Sequence, residues 1–360
     1  DDGVADDEII EALTECVEHL PEGTLAAQVL GSLQMEYLTA RRPAEADVCG
    51  RASVEMARAA GDSAVLLRVL MMRALGTWGP GTYHERIALG EEMLTLPLAG
   101  ELEVSALWQY GSALLQAGRT SDADAVIERC QAAAARLRHT GADVPLGWWR
   151  FMRAISRDDP AAKELGDAAL DLHRRTSVVS LEELTGIHAI RTAPVGSEVP
   201  PDVVASPAVR RNPAFRSEVA YGLLESGDLE TAVRLLGHEP ATDAPDFAAL
   251  ASDCLQTAVY AAAQLLPQTR VCLARIQPWS GDVVIWGSAD HLGAVDFFVA
   301  QAVLALGDRD AAQAYAAAAV DLCVRVGNRP WERRARSLLA ELGPAPGEFS
   351  GLHKPEKSPP

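Results

Sequence analysis

The sequence predicts an all-α protein, a solenoid of roughly 16 antiparallel helices. Two observations carry this prediction. Apolar residues recur at helical spacing along nearly the whole chain, and one glycine-to-alanine spacing appears at three places between helical segments. Convincing alternation of apolar and polar residues, which would indicate β-strands, is missing.

Two segments have the same stripe of apolar residues. In one, apolar residues lie 3, 4, 7, 10, 11 and 14 positions after Ala123; in the other, they lie at the same offsets from Ala312. This spacing places the apolar side chains on one face of a helix. The two segments therefore represent one structural unit used twice.

The turns before these helices share a pattern, in which a glycine stands five residues before an alanine. The pairs are Gly118 with Ala123, Gly227 with Ala232, and Gly307 with Ala312. Glycine suits the left-handed position just past a helix end, and a small alanine lets two antiparallel helices approach closely. The pattern predicts helical hairpins that stack along the chain.

The helical pattern is interrupted twice. Residues 192–213 contain five prolines and cannot form one continuous helix, so they are a loop or a hinge. We therefore expect one helical array over residues 1–191 and a second over residues 214–342. The tail, residues 343–360, is polar and proline-rich, which predicts disorder.

The charge of the chain excludes two classes of partner. Its formal net charge is −18, and only three of its 32 basic residues are lysines. Binding to nucleic acid or to anionic lipid needs basic side chains that replace counterions, so neither is expected. We also expect a cytoplasmic protein, because no apolar run is long enough for a membrane span and no signal peptide is present.

Two further features concern the cell compartment and processing. Six cysteines stand singly, which predicts buried thiols in a reducing compartment. The absence of an initiator methionine suggests an excised or processed chain.

Catalytic and metal motifs are absent from the sequence. Asp158-Asp159 is followed by Pro-Ala-Ala, which does not complete an aspartate-rich metal motif. The eight histidines show no HxxxH spacing, and no GxSxG elbow occurs. We expect no catalytic residue, no metal site and no enzymatic activity.

Aromatic residues provide the candidate binding site. Trp108 and Tyr110 belong to one predicted helix, and Trp148, Trp149 and Arg150 belong to the next but one. Aromatic side chains beside an arginine suit a groove for a peptide, a small ligand or a domain surface. The alternative is packing between helices. Trp148 and Trp149 cannot face the same way on a helix, so at least one should lie off the main core stripe.

Three stretches resemble a known family. The glycine-to-alanine turn is that of tetratricopeptide (TPR) repeats. In addition, residues 74–94, the segment GWWRFMRAI at 147–155, and residues 287–343, with LGAVD and GNRPW, are similar to the C-terminal TPR-like region of large bacterial transcriptional regulators. These regulators are Streptomyces antibiotic regulatory proteins (SARPs) with an appended ATPase, and related LuxR-type multidomain ATPases. No LuxR-like recognition helix ends this chain, which favours the SARP-like arrangement.

The resemblance implies a regulatory role for the chain. A parent regulator of this kind would carry a winged-helix DNA-binding domain and an ATPase, and this chain has no GxxxxGK[ST] phosphate loop. ATP is therefore expected only on the parent's ATPase domain, and no cofactor is expected here. The implied partners are the parent's own ATPase and DNA-binding domains, another subunit, a second copy of the chain, or a small-molecule effector. The alternative is a stand-alone TPR adaptor that binds a peptide or a partner protein.

Overall fold

The structure, a computed structural model, describes residues 7–137, 140–176, 180–240, 246–287 and 290–343. Over these residues the chain forms nineteen α-helices, a short 3₁₀ helix at Gln277–Trp279 and two β-strands. The first ten helices are α1 (Asp7–His19), α2 (Thr24–Thr39), α3 (Pro43–Ala60), α4 (Ser63–Gly76), α5 (Tyr83–Thr95), α6 (Glu101–Gln116), α7 (Thr120–Leu137), α8 (Thr140–Ser156), α9 (Ala162–Thr176) and α10 (Leu181–Thr192). The remaining elements are α11 (Pro201–Ala205), α12 (Pro207–Arg211), α13 (Pro213–Glu225), α14 (Leu229–Leu236), α15 (Asp246–Ala262), α16 (Leu266–Ile276), β1 (Val283–Trp286), β2 (Asp290–Ala294), α17 (Val295–Ala305), α18 (Arg309–Val326) and α19 (Arg329–Leu342). The predicted all-α class is confirmed.

Glycine and aspartate residues shape the turns between paired helices. Gly227 and Gly307 have φ values of 88° and 96°, a left-handed conformation that is strained for any residue with a Cβ. The next residue caps the following helix: the carboxylate of Asp228 accepts a hydrogen bond from the Thr231 amide, and that of Asp308 accepts one from the Ala311 amide. Gly118 also lies at positive φ, 71°, before α7.

Most helices pack against the helix that precedes or follows them in the sequence. Helices adjacent in sequence contact each other, as in α2–α3, α6–α7, α8–α9 and α17–α18. Next-but-one contacts join α2, α4 and α6, and also α13, α15 and α17. Ala123, Ala232 and Ala312, the small residues of the second helix in each turn pattern, are fully buried.

The C-terminal helices fold back against the middle of the chain. Helix α8 contacts both β2 and α19, and α6 contacts β1. The Tyr83 hydroxyl donates a hydrogen bond of 2.9 Å to the carboxylate of Asp282, 199 residues away in the sequence. One apolar cluster therefore extends from α6 to α19 and includes residues from both parts of the chain.

The β-hairpin differs from the sequence prediction. Strands β1 and β2 pair in an antiparallel manner, and all their residues are buried. Strand β1, Val-Val-Ile-Trp, is buried on both faces and forms a short apolar run without alternation. Strand β2, Asp-His-Leu-Gly-Ala, begins with two buried polar residues and shows no alternation either. Among the described residues there are also more helices than the predicted 16, in part because residues 192–213 contain the two five-residue helices α11 and α12.

Two other expectations concern the cysteines and the tail. Four cysteines are buried, but Cys16 is exposed and Cys49 is only partly buried, so the prediction of six buried thiols is wrong for these two. Residues 344–360 of the predicted disordered tail lie outside the described residues. Within the described part of the chain, no helix combines the length and the apolar character needed to cross a bilayer.

The close packing at Ala312 predicts a position-dependent effect of side-chain size. We expect Ala312→Leu to lower the free energy of unfolding by about 1–3 kcal/mol, because extra methylenes do not fit between closely packed helices. Ala318→Leu is the matched control, since Ala318 is an exposed residue of the same helix α18; its effect should stay within about 0.5 kcal/mol. Urea denaturation followed by far-UV circular dichroism measures both, and equal effects would contradict close packing at Ala312.

Candidate functional site

A cleft of about 410 Å³ lies where α10 meets α13, β2 and α19. Its walls come from the α8–α9 junction, the end of α10 with the segment 193–200, and residues of α13, β2 and α19. We call it the charged cleft. Its charged lining residues are Asp158, Asp159, Lys163, Arg191, Glu198, Glu225, Asp290, Arg333 and Arg334.

Arg191 is the centre of the charged cleft. Its guanidinium, on α10, forms ion pairs with the carboxylates of Glu218 on α13 and Asp290 on β2, and a third carboxylate oxygen, of Glu225, lies 3.9 Å away. The side chains of Arg191, Glu218 and Asp290 are at most 8% exposed. One arginine therefore holds together three elements that are distant in sequence.

A second arginine closes the cluster from α19. The Arg334 Nε donates a hydrogen bond of 2.7 Å to Glu225, and its guanidinium lies 4.9 Å from the ring centre of Trp331. Arg333, the preceding residue, pairs with Asp158 beyond the end of α8. Helix α19 thus contributes two cations to the lining of the charged cleft.

The buried cluster has one more carboxylate than it has arginines, which shows in the pKa values. Burial raises the pKa of Glu218 to about 8, although the Arg191 guanidinium acts in the opposite direction. For Arg191, burial lowers the pKa, but the carboxylates of Asp290, Glu218 and Glu225 outweigh it and hold the pKa above its usual value. A proton on Glu218 brings the cluster of Arg191, Arg334 and the three carboxylates to neutrality.

His291 and Asn328 lie next to the Arg191 cluster and hold strand β2 in place. His291 follows Asp290 in β2, and burial lowers its pKa to about 3, so the ring is neutral. The Asn328 side-chain nitrogen donates a hydrogen bond of 2.8 Å to the His291 carbonyl, and its side-chain oxygen caps α19 by accepting from the Trp331 amide. Asn328 therefore fixes β2 against the helix that carries Arg333 and Arg334.

The five predicted binding residues do not form one surface. Trp149 and Tyr110 are buried in the main core, and Trp149 packs edge-on against the half-buried Trp108 with ring centres 5.6 Å apart. Trp148 belongs to a separate cluster with Phe151 and donates a hydrogen bond of 3.2 Å to the ring of His173. The two adjacent tryptophans do point to different clusters, but both are buried. Arg150 is exposed.

Of the five predicted binding residues, Trp108 lines a second cleft, which has a volume of about 320 Å³. We call it the tryptophan cleft. It is lined by Leu75, Trp78, Val104, Ser105, Trp108, Gln109, Cys130, Ala142, Pro145 and Leu146. Within the described residues, no group of three or more histidine, cysteine or carboxylate side chains is arranged to hold a metal ion.

Sequence reasoning missed the charged cleft because its members are far apart along the chain. Arg191, Glu218 and Asp290 carry no motif, and their proximity depends on the way α10, α13 and β2 meet. One signal was present: Glu218 is followed by six residues without a charged side chain in a helix that is mostly buried. A single charge in such a segment indicates a buried partner of opposite sign.

Removal of Arg191 should destabilise the protein strongly. We expect Arg191→Met to lower the free energy of unfolding by about 3–5 kcal/mol, because buried carboxylates lose their counterion. The matched control is Arg174→Met, since Arg174 forms an exposed ion pair with Asp171, a type of pair that contributes at most about 1 kcal/mol. Denaturant unfolding measures both variants, and similar losses would contradict the central position of Arg191.

The raised pKa of Glu218 predicts a pH dependence of stability. Unfolded Glu218 loses its proton near pH 4.5, whereas folded Glu218 keeps it up to about pH 8. The folded state binds more protons in this window, so rising pH favours unfolding by up to about 1.4 kcal/mol per pH unit. We expect the free energy of unfolding of the wild type to fall between pH 5 and pH 8 relative to that of Glu218→Gln. Parallel pH profiles for the two proteins would contradict it.

No protein-family model matches this chain, and no curated protein matches it.

Proposed function

We propose that this chain is the regulatory, TPR-like helical module of a bacterial transcriptional activator of the SARP type, and that it acts by binding and not by catalysis. The observation that supports this most is the charged cleft, whose walls come from both the N-terminal and the C-terminal helices. An occupant of this cleft contacts both parts of the chain at once. Binding there is able to change how the two parts are held together.

The packing of the helices fits a repeat module. Adjacent helices pack in pairs, and next-but-one helices contact each other among α2, α4 and α6 and among α13, α15 and α17, which is the arrangement that stacked hairpins produce. The buried alanines after Gly118, Gly227 and Gly307 allow the close approach of the paired helices. These contacts support a TPR-like solenoid over residues 1–191 and 214–342, joined by the proline-rich segment 192–213.

The chemistry of the charged cleft fits binding better than catalysis. Three carboxylates that line the cleft, those of Asp158, Glu225 and Asp290, are each paired with an arginine, so none of these is placed as a free general base. The neutral His291 lies behind Asp290 and is not among the lining residues. A ligand with both charged and polar groups would exchange partners with these side chains without a covalent step.

Regulation follows if an occupant prefers one arrangement of the two parts. A ligand shifts a conformational equilibrium only by its difference in affinity for the two states. The natural partners in this proposal are the activator's own ATPase and DNA-binding domains, another subunit, or a small effector, in the cytoplasm. ATP would bind the ATPase domain of the parent protein and not this chain.

The proposed separation of DNA binding from this module predicts a negative result with DNA. With a net charge of −18, the chain should give no shift of promoter DNA at a salt concentration of about 0.15 M. A gel-shift titration measures this, and a basic DNA-binding domain serves as the positive control. Tight binding by this chain alone would contradict the proposal.

The reading frame upstream of Asp1 distinguishes the two functions that the sequence left open. An in-frame phosphate-loop ATPase preceded by a winged-helix domain supports the SARP-like activator. A start codon directly before Asp1 supports the stand-alone adaptor instead. The codons are read directly from the gene.

A further inference from the structure

We propose that the tryptophan cleft binds a small, uncharged aromatic molecule that donates one hydrogen bond into the cleft. This site is separate from the charged cleft and does not depend on the proposed regulatory function. It holds equally for a stand-alone adaptor. The argument rests on the size of the cleft, its lack of charge, one buried acceptor and the way its two tryptophans are held.

The size and the walls fit one flat ring system. A volume of about 320 Å³ lies at the small end of the range for ligand pockets. Trp78 and Trp108 are both half-buried and each presents part of its ring to the cleft, while Val104, Pro145 and Leu146 line it with aliphatic surface. Aromatic ligands gain from ring contacts with tryptophan in addition to the burial of apolar area.

The lining carries no charge in a chain that is rich in charge. Among the residues that the structure describes, no aspartate, glutamate, lysine, arginine or histidine belongs to the lining of the tryptophan cleft, although the net charge of the chain is −18. Cys130 is the one lining residue with a titratable group; burial raises its pKa to about 11, and its thiol donates to the Val104 carbonyl at 3.3 Å. A charged ligand would lose its hydration here without a counterion, so the ligand is neutral.

One buried oxygen determines which polar group the ligand must carry. The side-chain oxygen Oε1 of Gln109 is buried in the lining and has no hydrogen-bond partner within the described structure. Buried polar atoms in proteins are nearly always hydrogen-bonded, because an unmet acceptor has lost its water. A ligand N–H or O–H group that donates a hydrogen bond to Gln109 Oε1 supplies the missing partner.

The two tryptophans are held in place before a ligand arrives. The ring of Trp108 packs edge-on against the buried Trp149, and the ring of Trp78 lies 4.4 Å from the guanidinium carbon of Arg86. Arg86 is itself buried and donates a hydrogen bond of 2.7 Å to the Gln116 side chain. Binding therefore does not need to order these rings, which lowers the entropy cost of association.

The experiment uses indole and 1-methylindole, two probes that differ in the ring N–H. Titration of the whole chain, followed by ligand-observed NMR, should show that indole binds and that 1-methylindole binds about tenfold more weakly. Gln109→Leu removes the acceptor, so the two probes should then bind with similar affinity. A preference for indole that survives in Gln109→Leu would overturn the assigned hydrogen bond.

Two substitutions test the place of binding. Trp108→Ala should weaken indole at least tenfold, and Trp279→Ala is the matched control, because Trp279 is also half-buried but lies outside the tryptophan cleft. If Trp108→Ala fails to fold, Leu75→Ala at the exposed rim replaces it, with the exposed Leu25→Ala as its control.

The proposal is overturned if indole does not bind at about 1 mM, or if cleft and control variants bind it equally. None of these results bears on DNA binding or the reading frame, so the two proposals fail separately.

Discussion

The contact between Arg191 and its carboxylates is the interaction on which the arrangement of the chain depends. Helix α10 ends the N-terminal helices, and Arg191 near its end pairs with Glu218 of α13 and Asp290 of β2. Buried charges are tolerated only when they are paired, so these three side chains require that their elements meet. Helix α19 contacts the same elements: Arg334 binds Glu225 of α13, and Asn328, which caps α19, binds the His291 carbonyl of β2.

The two clefts differ in what a ligand must offer. The charged cleft is lined by Arg191, Glu225 and Asp290, charged side chains from elements that are distant in sequence. The described lining of the tryptophan cleft comes from α4, α6, α7, α8 and the turn at Trp78, and it contains no charged side chain. These elements all belong to the N-terminal helices. Under the proposed function, it is therefore the charged cleft whose occupant contacts both parts of the chain.

The sequence predicted those parts of the fold that depend on local spacing. The all-α class followed from apolar stripes such as those after Ala123 and Ala312, because helical periodicity is a local property. Strand β1 was missed because burial on both faces removes the alternation that identifies a strand. For the site, Trp108 was named from the sequence, but Arg191, Glu218 and Asp290 were not. Their proximity is created by long-range packing, and each is an ordinary residue in its own segment.

Arginine has a structural role at several buried positions. Arg73 on α4 is 3% exposed and bridges Asp47 of α3 and Glu85 of α5, and Arg153 on α8 binds Asp124 of α7 through two nitrogens. Arg191 follows the same principle with carboxylates of two elements. A planar guanidinium binds two acceptors in fixed directions, whereas an ammonium group has no such fork. At these buried positions one cation joins neighbouring elements by contacting two acceptors, which is the geometry that arginine offers. Lys163, the lysine among the described residues, forms an exposed ion pair with Asp167.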